Sequence, residues 1–190
     1  MNLRYLLAIL LLALPLALAA QPRPLPPESV YHHPARMTNQ DGRSQALADG
    51  RGKPQLVSMF YTSCHYICPL IIDGALAVER QLTPAQRGRL GVTLISIDPD
   101  RDTPAALKRV SDQRKLDTQR WRLLRPAKSD LRAVAGLLDV RYRPLDDGEF
   151  NHTSVLVLLD AEGRVLASTE RIGSRPDPAF VAKVQQALGR

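Results

Sequence analysis

Short apolar runs alternate with signals that start helices, and this alternation constrains the fold of the chain more than any other feature. The runs lie at residues 55–61, 92–97 and 154–159, and each is bounded by turn-forming residues. Three pairs place a capping side chain directly before a proline that suits a first helical turn: Thr83-Pro84, Thr103-Pro104 and Asp177-Pro178. Strands that alternate with helices predict an α/β sandwich with a central, partly parallel sheet flanked by helices.

Weaker signals between these runs predict the remaining elements. Asp41-Gly42 is typical of a hairpin turn. A helix is expected from about Pro69 to Gln81, and a short strand over residues 121–124. Ser129 is expected to cap a further helix, and residues 164–169 to form a strand that returns after a turn.

The N-terminus has the pattern of a secretory signal peptide over residues 1–20. Arg4 provides the basic part, residues 6–18 the apolar part, and alanines near Ala20 a cleavage site. Because the apolar run is short and contains a proline, we expect a cleaved leader and a periplasmic protein rather than a membrane anchor. Residues 21–36 contain five prolines and predict an extended linker, and residues 37–190 are expected to form one domain.

The formal charge of +7 is spread along the chain, and no run of five like charges occurs in it. Since few aromatic side chains accompany these charges, we predict a solvated basic surface, suited to an acidic protein partner, and no nucleic-acid binding. The sequence also lacks a Walker loop and the HExxH, GxSxG and GxGxxG motifs. It therefore offers no support for a nucleotide-binding, hydrolase or dinucleotide-dependent function.

Cys64 and Cys68 are the only cysteines of the chain, and they stand where the first apolar run ends. If Pro69 lies in the first turn of a helix, both sulfurs lie at a strand-to-helix junction. The N–H groups and dipole of a helix N-terminus lower a thiol pKa, which favours the thiolate that attacks disulfides and binds metals. We therefore predict a redox or metal site. The alternative is a structural disulfide, but a bridge over three intervening residues constrains little chain.

Two further candidates are Asp98 and His152. Asp98 follows the run at 92–97, and ligand sites in α/β sheets collect at the carboxyl ends of strands, although turn and capping roles also explain the stretch 98–104. His152 precedes the run at 154–159. A lone histidine is more often a surface residue, but two thiolates leave a metal short of ligands, and one imidazole completes an S₂N set suited to Cu(I) or Zn(II). The adjacent pair His32-His33 is interpreted as solvated.

Three stretches in this order resemble the Sco/SenC family. They are Phe60–Pro69 with its two cysteines, Asp98–Pro104, and His152 followed by residues 154–160. The resemblance extends from about Met37 to Gly173 and implies a thioredoxin-like fold. It also implies a copper site, for Cu(I), Cu(II) or both, made by Cys64, Cys68 and His152. Asp98 is implied to be an interaction or tuning residue.

The function implied by this resemblance is delivery of copper to, or maintenance of the cysteines of, the Cu_A centre of cytochrome c oxidase. The implied partners are that subunit or another cupro-protein, and a thiol reductant or copper donor protein; we expect a monomer. A metallochaperone is favoured over an enzyme, with a copper-free thiol-disulfide oxidoreductase as the alternative. The sequence departs from common members at His65 and Tyr66, where many carry an acidic residue and proline, and in its cleavable leader.

Overall fold

A mixed sheet forms the centre of the fold. The computed structural model describes residues 24–64 and 67–189, and within them nine strands and five α-helices are found. The strands are β1 Arg36–Asn39, β2 Ser44–Ala46, β3 Gln55–Phe60, β4 Gly91–Ser96, β5 Trp121–Arg125, β6 Tyr142–Pro144, β7 Phe150–His152, β8 Leu156–Leu159 and β9 Val165–Thr169. The helices are α1 Ile67–Arg80, α2 Pro84–Arg89, α3 Pro104–Gln113, α4 Leu131–Leu137 and α5 Pro178–Leu188.

Seven of these strands form the main sheet in the order β2-β1-β5-β4-β3-β8-β9. The three central strands β5, β4 and β3 run parallel, and every neighbour outside them is antiparallel. All residues of β3 and β4 are buried, as expected for parallel strands covered on both faces by helices. The predicted α/β architecture with a partly parallel sheet is therefore confirmed.

Capping interactions start three of the helices where the sequence predicts them. The side chains of Thr83 and Thr103 accept hydrogen bonds from backbone N–H groups three residues later, each at 3.2 Å. Asp177 accepts one from the N–H of Ala179 at 2.9 Å. The predicted cap at Ser129 is wrong, because α4 begins after Asp130, whose backbone is already helical and whose side chain makes no capping bond.

The proline-rich segment differs from the predicted linker. From Ser29 onward it packs on the domain: Ser29 donates to the carbonyl of Glu162 at 2.5 Å, and Val30 N–H donates to the carbonyl of Gly163 at 3.0 Å. The ring of Tyr31 lies against Gly163, where a Cβ atom would come within 2.6 Å of it. Buried Val30 and Tyr31 therefore extend the core, and Leu25 also packs against it. The predicted signal peptide lies outside the described residues.

Strands β6 and β7 form a small antiparallel hairpin that the sequence analysis did not predict. It pairs with no strand of the main sheet among the residues described. The turn between its strands contains Asp147-Gly148, with Gly148 at a φ of +81°, a conformation that favours glycine. No helix in the described part of the chain is long and apolar enough to cross a bilayer.

Candidate metal and thiol site

The two cysteines lie at the junction between β3 and α1, as predicted. Cys64 is in the turn after the strand, and Cys68 is in the first turn of the helix. Both are buried and neither forms a disulfide. The backbone N–H of Cys68 is 3.4 Å from Cys64 Sγ, and the backbone N–H of Tyr61 is 3.3 Å from Cys68 Sγ. The turn therefore folds back so that both sulfurs face backbone donors.

The expected lowering of the thiol pKa is wrong for Cys68. Burial raises the pKa of the Cys68 thiol above its ordinary value, the N–H of Tyr61 lowers it, and the nearby Cys64 and Asp102 raise it further. Loss of hydration therefore outweighs the helix N-terminus at this position. Cys68 is a protonated thiol at neutral pH, and a metal or an electrophile must displace its proton.

Asp102 connects the cysteine turn to the end of β4. Its fully buried carboxylate accepts hydrogen bonds from the backbone N–H of Thr62 at 3.0 Å and from the Thr62 hydroxyl at 2.5 Å. A third hydrogen bond comes from the Ser96 hydroxyl at 2.5 Å. Thr62 is thus fixed two residues before Cys64. Sequence reasoning selected the stretch 98–104 but chose Asp98 in it and missed Asp102.

Asp98 lies at the carboxyl end of β4 as predicted, but it is buried rather than presented to a partner. Its carboxylate pairs with Arg101, and its backbone N–H donates to the Ser96 hydroxyl at 2.9 Å. Arg101 also donates to the carbonyl of Gly148 in the hairpin turn, and its guanidinium lies 6.0 Å from the ring centroid of Phe150. Asp98 therefore acts on the hairpin through Arg101.

His152 is the last residue of β7, so the hairpin determines its position. Its Nδ1 lies 3.0 Å from the carbonyl oxygen of Thr153, and a bond to a carbonyl requires the proton on Nδ1. Its Nε2 is buried and has no hydrogen-bond partner within the described residues. Burial also lowers the pKa of His152, which favours the neutral ring. The structure thus holds an imidazole whose Nε2 lone pair is free to bind a metal.

Tyr61 lies between the cysteines and the histidine, a role that the sequence gave no signal for. Its ring centroid is 5.9 Å from that of His152 and 5.2 Å from that of Phe150, both in edge-to-face geometry. Its hydroxyl donates to Glu149 at 2.6 Å and accepts from the N–H of Phe150 at 3.3 Å. Burial raises the pKa of the Tyr61 phenol, as do Glu149 and the Cys64 thiol, so the phenol keeps its proton.

Two clefts border this region. A cavity of about 250 Å³ is lined by Cys64, Cys68 and Tyr61, and a wider groove of about 690 Å³ is lined by His152 and by Ile67 at the start of α1. Within residues 24–64 and 67–189, no three cysteine, histidine or carboxylate side chains are arranged to hold a metal ion. Tyr61 thus contacts both the cysteine turn and His152, and the three predicted ligands do not form a ligand set among the described residues.

Comparison with known proteins identifies the family. The family model described as SCO1/SenC matches residues 25–189, which is most of the chain. The chain belongs to the SCO1/SenC family. The match begins before the predicted domain start at Met37, which agrees with the docking of the proline-rich segment from Ser29 onward.

Relatives of this SCO1/SenC chain share its length and fold. The SCO1 protein homolog of Bacillus subtilis (strain 168) is 24% identical over 157 residues, which is 81% of each chain. ScoI of Bradyrhizobium japonicum, solved with copper bound, has a TM-score of 0.63 at 24% identity over 82% of this chain and 98% of its own. BsSco, a Sco-family cytochrome c oxidase assembly protein described with a disulfide switch, has a TM-score of 0.68 at 23% identity over 82% and 92%. The expected thioredoxin-like fold is confirmed.

Proposed function

We propose that this chain is an exported copper-binding protein that serves the assembly of cytochrome c oxidase. It delivers copper to the Cu_A centre, or maintains the cysteines of that centre, and its ligands are Cys64, Cys68 and His152. The observation that carries the proposal is the buried Nε2 of His152, which has no hydrogen-bond partner among the described residues and whose ring contacts Tyr61, a neighbour of the two cysteines. A buried polar atom without a partner is costly unless it has another use.

The chemistry of the donors supports copper as the cargo. Thiolates are soft ligands that select Cu(I), and an imidazole nitrogen also suits copper. Binding must displace the proton that burial retains on Cys68, so copper uptake releases protons and weakens at low pH.

The relatives support the choice of metal and partner. ScoI of Bradyrhizobium japonicum is a copper-bound structure, and BsSco is a cytochrome c oxidase assembly protein. Membership of the same family favours the same cargo and the same class of target for this chain. The target we propose is the Cu_A subunit or another cupro-protein. The copper donor or thiol reductant is a second protein partner.

A copper titration of the reduced domain, residues 21–190, tests this proposal. Cu(I) is offered in competition with a chelator, and Cu(II) in a parallel series. We expect one bound copper per chain, and a loss of about a hundredfold or more in affinity for His152→Ala, with the fold and the ability to form the disulfide retained. His32→Ala is the matched control, since its ring only contacts the carbonyl of Pro26 at 2.9 Å. Parent-like binding in His152→Ala would contradict the ligand set.

A thiol-disulfide oxidoreductase that works without copper is the second candidate. It is favoured by the contact between the two thiols, in which the N–H of Cys68 lies 3.4 Å from Cys64 Sγ. The two thiols would give two electrons and two protons to a partner's disulfide. The products would be an internal Cys64–Cys68 disulfide and two partner thiols. In this case the parent reduces a partner's disulfide in the absence of copper and does not bind copper tightly, and the lack of tight copper binding separates the two functions.

Export to the periplasm is part of the proposal and rests on residues 1–20, with their basic start, apolar run and alanine-rich end. We expect the exported protein to begin near Ala20 or Gln21. Mass spectrometry of the periplasmic fraction measures this directly. Recovery of intact chains starting at Met1 from the membrane fraction would instead support an uncleaved anchor.

A further inference from the structure

The Tyr61 side chain contacts both halves of the proposed copper site, the cysteine turn and the hairpin with His152. We infer that Tyr61 is a positioning residue: its hydroxyl holds the β6–β7 hairpin, and with it His152, against the cysteine turn. This inference rests on the proposed copper function, because it concerns how the third ligand reaches the thiols. Three observations support it.

The first observation is that Tyr61 is anchored on the cysteine side. It directly follows β3, a strand buried along its whole length, and is itself only 2% exposed. Its backbone N–H donates to Cys68 Sγ at 3.3 Å. The next residue, Thr62, is fixed by the buried Asp102 carboxylate. The position of the Tyr61 ring is therefore set by the core and by the cysteine turn together.

The second observation is that the hydroxyl of Tyr61 binds the hairpin at two points. It donates to Glu149 Oε2 at 2.6 Å and accepts from the backbone N–H of Phe150 at 3.3 Å. Phe150 is the first residue of β7 and His152 is the last, so the hydroxyl holds the strand that carries the imidazole. A hydrogen bond from a hydroxyl to a carboxylate is charge-assisted and therefore stronger than one between neutral groups.

The third observation is that side-chain contacts rather than strand pairing attach the hairpin to the domain, with Tyr142 and Phe150 packed against the core and Arg101 bound to Gly148. Its strands pair only with each other among the described residues, and Arg143, Pro144 and Asn151 are exposed. The edge of the His152 ring meets Tyr61 at a centroid distance of 5.9 Å. A hairpin that loses the hydroxyl contact keeps this ring contact but is free to shift. His152 then spends less time where it can join the thiols.

Tyr61→Phe isolates the hydroxyl, because the ring and its packing remain. Partners that orient a metal ligand typically contribute ten- to a hundredfold in affinity, so we expect Cu(I) affinity to fall by about tenfold or more. Glu149→Gln keeps an acceptor for the hydroxyl and should lose less. Tyr142→Phe is the matched control, since Tyr142 lies opposite His152 in the hairpin and its hydroxyl has no partner within the described residues.

A double-mutant cycle decides whether Tyr61 acts through the histidine. In a His152→Ala background, Tyr61→Phe should cause no further loss of copper affinity, because the hairpin then carries no ligand. An equal loss in both backgrounds would overturn the inference, since Tyr61 would act on the thiols instead. Parent-like or tighter binding in the Tyr61→Phe variant alone would also overturn it.

Hydrogen exchange of the metal-free protein keeps this inference separable from the proposed function. We expect faster exchange at the amides of β7 in Tyr61→Phe and unchanged exchange in β4. If the parent binds no copper, the proposed function fails, and faster exchange still supports the hold on the hairpin. A second outcome is that the parent binds copper, His152→Ala does not, and the amides of β7 exchange in Tyr61→Phe at the rate of the parent. In that case the proposed function stands and only the inference about Tyr61 fails.

Discussion

The cysteine turn and the histidine hairpin carry the ligands of the proposed copper site, and they are held in place by different means. The turn leaves β3, a strand with no exposed residue, and is tied to β4 by the buried carboxylate of Asp102. The hairpin stands outside the main sheet, with its contacts to the site made by Tyr61 and Arg101. Substitutions that disturb the turn should therefore cost stability, whereas those in the hairpin should cost ligand placement with little loss of stability.

This difference bears on how a copper carrier must work. A thiol pair fixed by the core gives the same two donors in every state of the protein. The His152 imidazole lies on a hairpin outside the main sheet, so it can join or leave the copper at a small cost in free energy. A small cost favours release of copper to a partner as much as binding. The predictions below test this contrast, from the largest expected effect to the smallest.

The largest expected effect lies in the strands that support the cysteine turn. Leu94 in β4 is fully buried between β3 and β5, so Leu94→Ala should lower the free energy of unfolding by about 2–5 kcal/mol. Arg143→Ala in the exposed face of the hairpin should change it by no more than about 0.5 kcal/mol. Urea unfolding of both variants measures the contrast, and equal losses would refute it.

The second effect concerns the carboxylate that ties the turn to β4. Asp102→Ala leaves the N–H of Thr62 and the hydroxyls of Thr62 and Ser96 without their acceptor, and should cost about 1–3 kcal/mol. Asp112→Ala is the control, because its ion pair with Lys108 is exposed and should contribute well under 1 kcal/mol. Thermal or urea unfolding compares the two, and a loss no larger than in Asp112→Ala would show that Asp102 does not support the turn.

The pH dependence of Asp102 provides a separate check. Burial raises the pKa of the Asp102 carboxyl, although hydrogen bonds from Ser96 and Thr62 oppose this. The native state therefore holds a proton that the unfolded chain releases near pH 4, and stability falls as the pH rises through this window. Asp102→Asn lacks that titration. The free energy of unfolding is measured for the parent and for Asp102→Asn over a range of pH. The advantage of the parent over Asp102→Asn should shrink from about pH 4 upward and then become constant. An advantage that grows with pH would contradict the raised pKa.

Sequence reasoning reached most of the fold because its signals are local. Alternating apolar runs and threonine-proline or aspartate-proline caps are sufficient to place β3, β4 and α3, and the spacing of the cysteines places them at a strand-to-helix junction. The β6–β7 hairpin was missed although Asp147-Gly148 is a hairpin signal, because the flanking residues lack an apolar alternation.

The features that sequence reasoning missed within the site are long-range contacts. Tyr61 and Glu149, like Thr62 and Asp102, are far apart in the sequence and meet only in the folded chain. The raised pKa of Cys68 also follows from burial, which a motif does not encode, so the expected lowering was wrong. The ligand role of His152 came from family resemblance and stays a prediction.

The third effect is the contribution of a Cys64–Cys68 disulfide to stability. Such a bridge closes a very short loop, for which loop-closure entropy gives at most about 2 kcal/mol. We therefore expect reduction to lower the free energy of unfolding in urea by no more than about 2 kcal/mol. A loss on reduction as large as that of Leu94→Ala would mean that the bridge holds the fold together and that the turn is not fixed by the core.

The smallest expected effect is at the second contact that holds the hairpin. Arg101 joins Asp98 to the carbonyl of Gly148, but its side chain is 45% exposed, so Arg101→Ala should lower global stability by only about 1 kcal/mol or less. Its effect should appear instead as faster hydrogen exchange in residues 148–152, with β4 unchanged, because the hairpin opens locally. Copper affinity should fall less than in Tyr61→Phe, since Arg101 binds the turn whereas Tyr61 binds the start of the strand that ends at His152. Arg143→Ala is again the control. Exchange that increases equally in the hairpin and in β4 would show that the two regions open as one unit, and the contrast between a fixed thiol pair and a separately held histidine would not stand.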